Sequence, residues 1–146
     1  MIPVFKPALD QEEWLALKEP IEKGWLGLGP KTKEFEEKFA EYTNAPYAVG
    51  ANSGTSALHL GFAVLDISGG EVVTTSLTYV ATNHAIIYCG GIPVFADIED
   101  DTGNIRVDEI ERCITPRTKA ICVVHYGGHP CDMDPTMELA AKHHLP

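Results

Sequence analysis

The chain has no C-x-x-C pair, no uninterrupted apolar run long enough to cross a bilayer, and no basic stripe. Each absence closes off a class of function. Cys89, Cys113, Cys122 and Cys131 lie in segments that read as apolar or helical, without paired spacing. They suit reduced core thiols of a cytoplasmic protein and not a disulfide framework. His125, His129, His143 and His144 lie close by in sequence. Their spacing fits no common zinc pattern, so no metal site is expected. The formal net charge of −10 over 146 residues argues against a nucleic-acid binder. Lys31, Lys33 and Lys38 cluster, yet Glu34, Glu36, Glu37 and Glu41 interleave with them, as on a solvated helix face. The expectation is no membrane span and no signal peptide, since the start lacks a basic residue cluster followed by an apolar run. Two common phosphate binders are also missing: there is neither a G-x-G-x-x-G turn nor a Walker A loop with its lysine.

What is present centres on Tyr47 to His59, which reads as a short apolar strand, a turn of small residues and the opening of a helix. Ser53 suits the N-cap, because its oxygen can accept from amides of the first turn. Gly54, Thr55 and Ser56 then stand at the positive end of the helix dipole. There, backbone amides and hydroxyls bind a phosphate without a basic side chain. The same stretch also reads as an ordinary strand-to-helix turn, so both meanings stay open on these residues alone.

The rest of the chain supplies the frame. Residues 1–9, with Pro3 and Pro7, read as an extended arm. Asp10 with Glu13 marks a capping box and a helix over Gln11–Lys23, in which Pro20 ends or kinks the regular part. Trp25 to Pro30 reads as a loop, either for binding or for packing against a neighbouring element. Pro30 opens a helix whose Phe35, Phe39 and Tyr42 share one face and are expected in the core. Strands are expected at Tyr47–Ala51, Val72–Ser76, Pro93–Asp97 and Ala120–His125. Helices are expected at Thr55–Leu65, Tyr79–Cys89, Asp108–Cys113 and Pro135–His144, the last capped by Asp134. Alternating strands and helices, with near-continuous apolar strands, predict a three-layer α/β fold with a mostly parallel sheet. Ligands in such sheets sit beyond the carboxyl ends of the strands. The Ser53 turn, the Ser76–Tyr79 turn and the His125–Asp132 loop all follow strands and are expected to line one site. Leu145-Pro146 reads as the lead-in to a further strand, so the chain is expected to be part of something longer.

Several segments in order and spacing carry a resemblance. They are Trp25-Leu26-Gly27-Leu28-Gly29-Pro30 with Glu34-Phe35-Glu36, Ser53 to His59, Ser76 to Asn83, Pro93 to Asp97, Ile114 to Ile121 and Val124 to Asp134. Together they resemble the N-terminal part of the DegT/DnrJ/StrS-type sugar aminotransferases, enzymes of the aspartate aminotransferase superfamily (fold type I) that use pyridoxal 5′-phosphate (PLP). The resemblance implies an arm, helix and loop over residues 1–30 and the first part of a PLP-binding large domain over 31–146. It implies transfer of an amino group from an amino acid, usually glutamate, to a nucleotide-linked keto sugar in amino-sugar and polysaccharide biosynthesis, by a homodimer. By position, Gly54, Thr55 and Ser56 would hold the cofactor phosphate and Tyr79 would stack on its ring. Judged from its own surroundings, Tyr79 also reads as a core aromatic at a helix start. The departures are Pro20 within the first helix, a shortened Asp66–Glu71 loop, and Thr75 where the family commonly has proline.

The resemblance also implies that the Schiff-base lysine and the aspartate at the pyridine nitrogen lie beyond Pro146. None of the lysines present follows the family's lysine motif. This chain alone is therefore expected to be inactive and to form no borohydride-reducible PLP adduct on a specific lysine. The alternatives are a sugar dehydratase on the same fold, a non-catalytic module that binds phosphate or a nucleotide sugar, and a truncated remnant with exposed apolar faces.

Overall fold

The computed structural model describes residues 5–146, so Met1–Val4 of the expected arm lie outside the described residues. The chain divides into two compact units, one ending at Gly50 and the other running from Ala51 to Pro146.

In the first unit, α1 (Gln11–Ala16) and α2 (Lys18–Glu22) replace the single helix expected over Gln11–Lys23. The capping box is present: Glu12 N–H donates to Asp10 Oδ1 at 2.8 Å, and Asp10 N–H donates to Glu13 Oε2 at 2.8 Å. The interruption falls at Leu17 and not at Pro20. Pro20 is the third residue of α2, inside the first turn, where a helix has no use for the missing N–H. Trp25 folds back on its own loop. Its indole N–H donates to the Leu28 carbonyl at 2.8 Å, and its ring fills the space where a Cβ on Gly29 would stand.

Pro30 opens α3 (Pro30–Thr43), and Asn44 closes it in the left-handed conformation at φ 53°. The stripe expected in the core is instead exposed: Phe35 is 59% accessible, Phe39 49% and Tyr42 88%. Helical spacing identified an apolar face correctly, but periodicity does not say what covers that face. The strand expected over Tyr47–Ala51 is also absent. Among the described residues no ladder partner flanks this segment, and the Gly50 amide is spent on Glu36 Oε1 at 2.7 Å.

The second unit is built on β1 (Glu71–Thr74), β2 (Ile92–Phe95) and β3 (Thr118–Ile121), in the order β2-β1-β3 and parallel throughout. Val73 pairs with Val94 on one side and with Ile121 on the other. Successive side chains of a strand point to opposite faces, and β1 feeds a different layer with each. Val72 packs with Phe62 of α4 (Gly54–Val64) and with Ala85 and Ile86 of α5 (Ala81–Tyr88). Val73 packs with Ile110 of α6 (Val107–Cys113) and Leu139 of α7 (Met133–Lys142). This is the three-layer parallel α/β arrangement the sequence predicts.

Two side chains set the amino edge of the sheet. Buried Glu71 is held by the Arg117 guanidinium and by the Thr115 hydroxyl at 2.5 Å. Lys119 Nζ donates to the carbonyls of Asp66 and Ser68 at 2.8 and 3.1 Å, fastening the turn between α4 and β1. The cap of α7 is Asp132 and not Asp134, and Pro135 is its third residue. As in α2, proline is accommodated anywhere in the first turn, so its position dates a helix start only to within a few residues.

Candidate functional site

The turn before α4 is built by short polar side chains. The Ser56 amide donates to Ser53 Oγ at 3.1 Å, and the Ser56 hydroxyl donates to Asn52 Oδ1 at 2.6 Å. Ser53 is therefore the N-cap, and both polar groups of Ser56 are engaged inside the turn. The amides of Gly54 and Thr55 and the Thr55 hydroxyl have no acceptor among the described residues. Nothing lies within 4 Å of the position a Cβ on Gly54 would take. The result is an open helix end with two unsatisfied N–H groups, a neighbouring hydroxyl and room above them. Such an end attracts an anion.

Tyr79 lies in the loop after β1. The helix expected to start there begins only at Ala81, with Val80 as its N-cap. The Tyr79 carbonyl accepts from the Thr82 amide at 3.0 Å, and the side chain is 79% exposed. This removes the reading of Tyr79 as a core aromatic and leaves a flat ring face available to a ligand. Helices α4 and α5 pack on one another through Leu58, Phe62, Ala85 and Ile86, and Cys89 Sγ lies 3.5 Å from the His59 carbonyl. The Ser53 turn and the Tyr79 loop thus belong to helices that share one core.

The loop after β3 and the loop after β1 both approach Gly103. Gly103, at φ +71°, lies so close to both that a Cβ there would stand 2.9 Å from the Tyr126 ring and 3.3 Å from Leu77. Beside it, Asn104 is 3% exposed and uses its whole amide. Its Nδ2 donates to the carbonyls of His129 and Pro130 at 3.1 and 3.0 Å, and its Oδ1 accepts from the Tyr126 amide at 3.0 Å. The Cys131 amide donates to His125 Nδ1 at 3.0 Å, and Cys131 Sγ donates to the Val124 carbonyl at 3.2 Å. Residues 125–131 are therefore pinned from several directions. Sequence reasoning placed this loop near the site but missed Gly103 and Asn104, whose partners lie far along the chain.

The cysteines are free, and burial pushes the Cys122 and Cys131 thiols up, which makes them poor nucleophiles. Among the described residues no group of three His, Cys, Asp or Glu side chains could hold a metal, and no helix is long and apolar enough to cross a membrane.

Comparison with known proteins gives this geometry a context. The chain is 43% identical over 145 residues to the spore coat polysaccharide biosynthesis protein SpsC of Bacillus subtilis, covering 99% of this chain and 37% of that protein. It is 42% identical over 146 residues to the GDP-perosamine synthase of Escherichia coli O157:H7, covering 99% of this chain and 40% of that one. Spr1654 of Streptococcus pneumoniae, solved in PLP, PMP and apo forms, superposes with a TM-score of 0.91 at 36% identity, over 97% of this chain and 36% of its own. The chain thus spans about two fifths of the length of the curated relatives it matches. Residues 7–146 match the DegT/DnrJ/EryC1/StrS aminotransferase family, and the chain belongs to that family.

Proposed function

We propose that this chain forms the phosphate-and-ring half of a PLP site in a sugar aminotransferase. The observation that carries the reading is the open first turn of α4, with the Gly54 and Thr55 amides and the Thr55 hydroxyl unsatisfied. A phosphate monoester needs several donors converging on one anion, and this turn offers them without a lysine or arginine. Ser56 holds the turn through Asn52 and supplies its hydroxyl by exchanging that partner for the phosphate. The exposed ring of Tyr79 gives the cofactor's pyridine ring a surface to stack on. When bound, PLP supplies an electron sink for proton removal next to nitrogen. The residues of this chain bind and orient that group: Gly54, Thr55 and Ser56 fix its phosphate, and Tyr79 fixes its plane.

The longer protein would then move an amino group from an amino acid, glutamate being our choice of donor, to a nucleotide-linked keto sugar. We place it in the cytoplasm, as a homodimer whose first part is a leading arm, helix and loop over residues 1–30 and whose large domain starts at residue 31. The exposed face of Phe35, Phe39 and Tyr42 supports an assembled form, since it needs a cover.

The test is amide-resolved NMR of the chain titrated with PLP. The Gly54, Thr55 and Ser56 amides should shift together, and Thr55→Val with Tyr79→Ala should weaken binding by about tenfold or more. PLP binding that leaves these amides unmoved would refute the assignment.

A further inference from the structure

Resting on that reading, we propose that His125 is a further ligand-binding residue of the same site, presenting a fixed Nε2–H donor to an anionic oxygen of the bound molecule. A backbone amide can only donate, so the contact from Cys131 N–H at 3.0 Å makes His125 Nδ1 an acceptor. In the neutral ring the proton then resides on Nε2. Among the described residues Nε2 has no acceptor, and His125 is exposed. The tautomer is set by the protein, yet the donor it creates is left for something else.

Position supports the same conclusion. His125 follows β3 at the carboxyl edge of the sheet, where ligands of parallel α/β folds bind. Its neighbour Tyr126 and Leu77, two residues before Tyr79, both approach Gly103. The imidazole therefore stands in a loop that shares a neighbour, Gly103, with the one carrying the candidate stacking ring. The loop is also held by side-chain hydrogen bonds along its length. Asn104 ties down residues 126, 129 and 130, and Cys131 ties back to both His125 and Val124. A binding group held this way keeps its orientation before the ligand arrives, which lowers the ordering cost of binding. The matching acceptor is an oxygen anion, either on the phosphate or on the ring side of the cofactor.

Nitrogen-15 NMR of the chain tests the proposal. Free His125 should be the Nε2–H tautomer. Titration with PLP should shift His125 Nε2 together with the Thr55 amide. Titration with inorganic phosphate distinguishes the two acceptors: a shift at His125 assigns the phosphate, and a response to PLP alone assigns a ring-side oxygen. His125→Asn keeps an acceptor where Nδ1 stands and loses the distal donor. It should retain slow exchange at the Cys131 amide while weakening PLP binding by about tenfold. His125→Gln places a donor near Nε2 and should retain most of the affinity while the Cys131 amide exchanges faster. An Nδ1–H tautomer, or a Thr55 response with His125 unmoved, overturns the role of His125 and leaves the phosphate site standing. No response at Thr55 overturns the phosphate site and this proposal with it.

Discussion

At the residue scale, short polar side chains do the positioning. Ser53 caps α4, and Asn104 acts as a three-point clamp on the loop of residues 126–130. Removing the clamp leaves backbone groups without partners beside a buried gap. Asn104→Ala should therefore cost about 1–3 kcal/mol, read as a lower urea midpoint at unchanged slope. Asn104→Asp should not restore the wild-type midpoint, because a carboxylate cannot donate to the His129 and Pro130 carbonyls. The two residues also mark what the sequence discloses and what it withholds. Ser53 was legible because capping is local: the amides it serves lie within three positions. Asn104 was not, because its partners lie more than twenty positions away and an asparagine after glycine reads as a turn wherever it occurs.

At the element scale, β1 organises the second unit, and its first residue is a buried carboxylate. The Thr115 hydroxyl chiefly, and the Arg117 guanidinium as well, hold the Glu71 carboxyl below the usual carboxylate range against the opposing effect of burial. A group whose folded pKa is depressed contributes its stability above the unfolded value, near 4.3 for glutamate, and loses it as pH falls through the folded value. The urea midpoint should accordingly drop as the pH falls below about 5. Glu71→Gln should be less stable at neutral pH and show a shallower acid slope, and equal slopes would remove Glu71 from the account. The strands β1, β2 and β3 were all visible as apolar runs, though each starts one or two residues earlier and ends before its run does. The run at Tyr47–Ala51 looked equally strand-like and is not a strand. An apolar extended segment becomes a strand only where a neighbour satisfies its amides, and that neighbour is not encoded in the segment itself.

At the scale of the whole molecule, apolar surface remains uncovered on both units: Phe35, Phe39 and Tyr42 on α3, and Ile92 and Phe95 on β2. Exposed aromatic and β-branched side chains on a helix face and an edge strand invite association. The yield of refolded chain should fall as its concentration rises, and the double variant Phe35→Ser with Phe39→Ser should relieve part of that loss. Light scattering during dilution from urea is the measurement, and a yield independent of concentration would contradict it. The sheet itself adds to the hazard. Every neighbouring pair is parallel, so no strand reaches its partner through a tight turn. β1 must wait for α5 to swing over before β2 arrives, and for the chain as far as residue 118 before β3 does. The central strand thus precedes both of its partners in the chain, and until they dock its two rows of amides are open to any other molecule that collides with them.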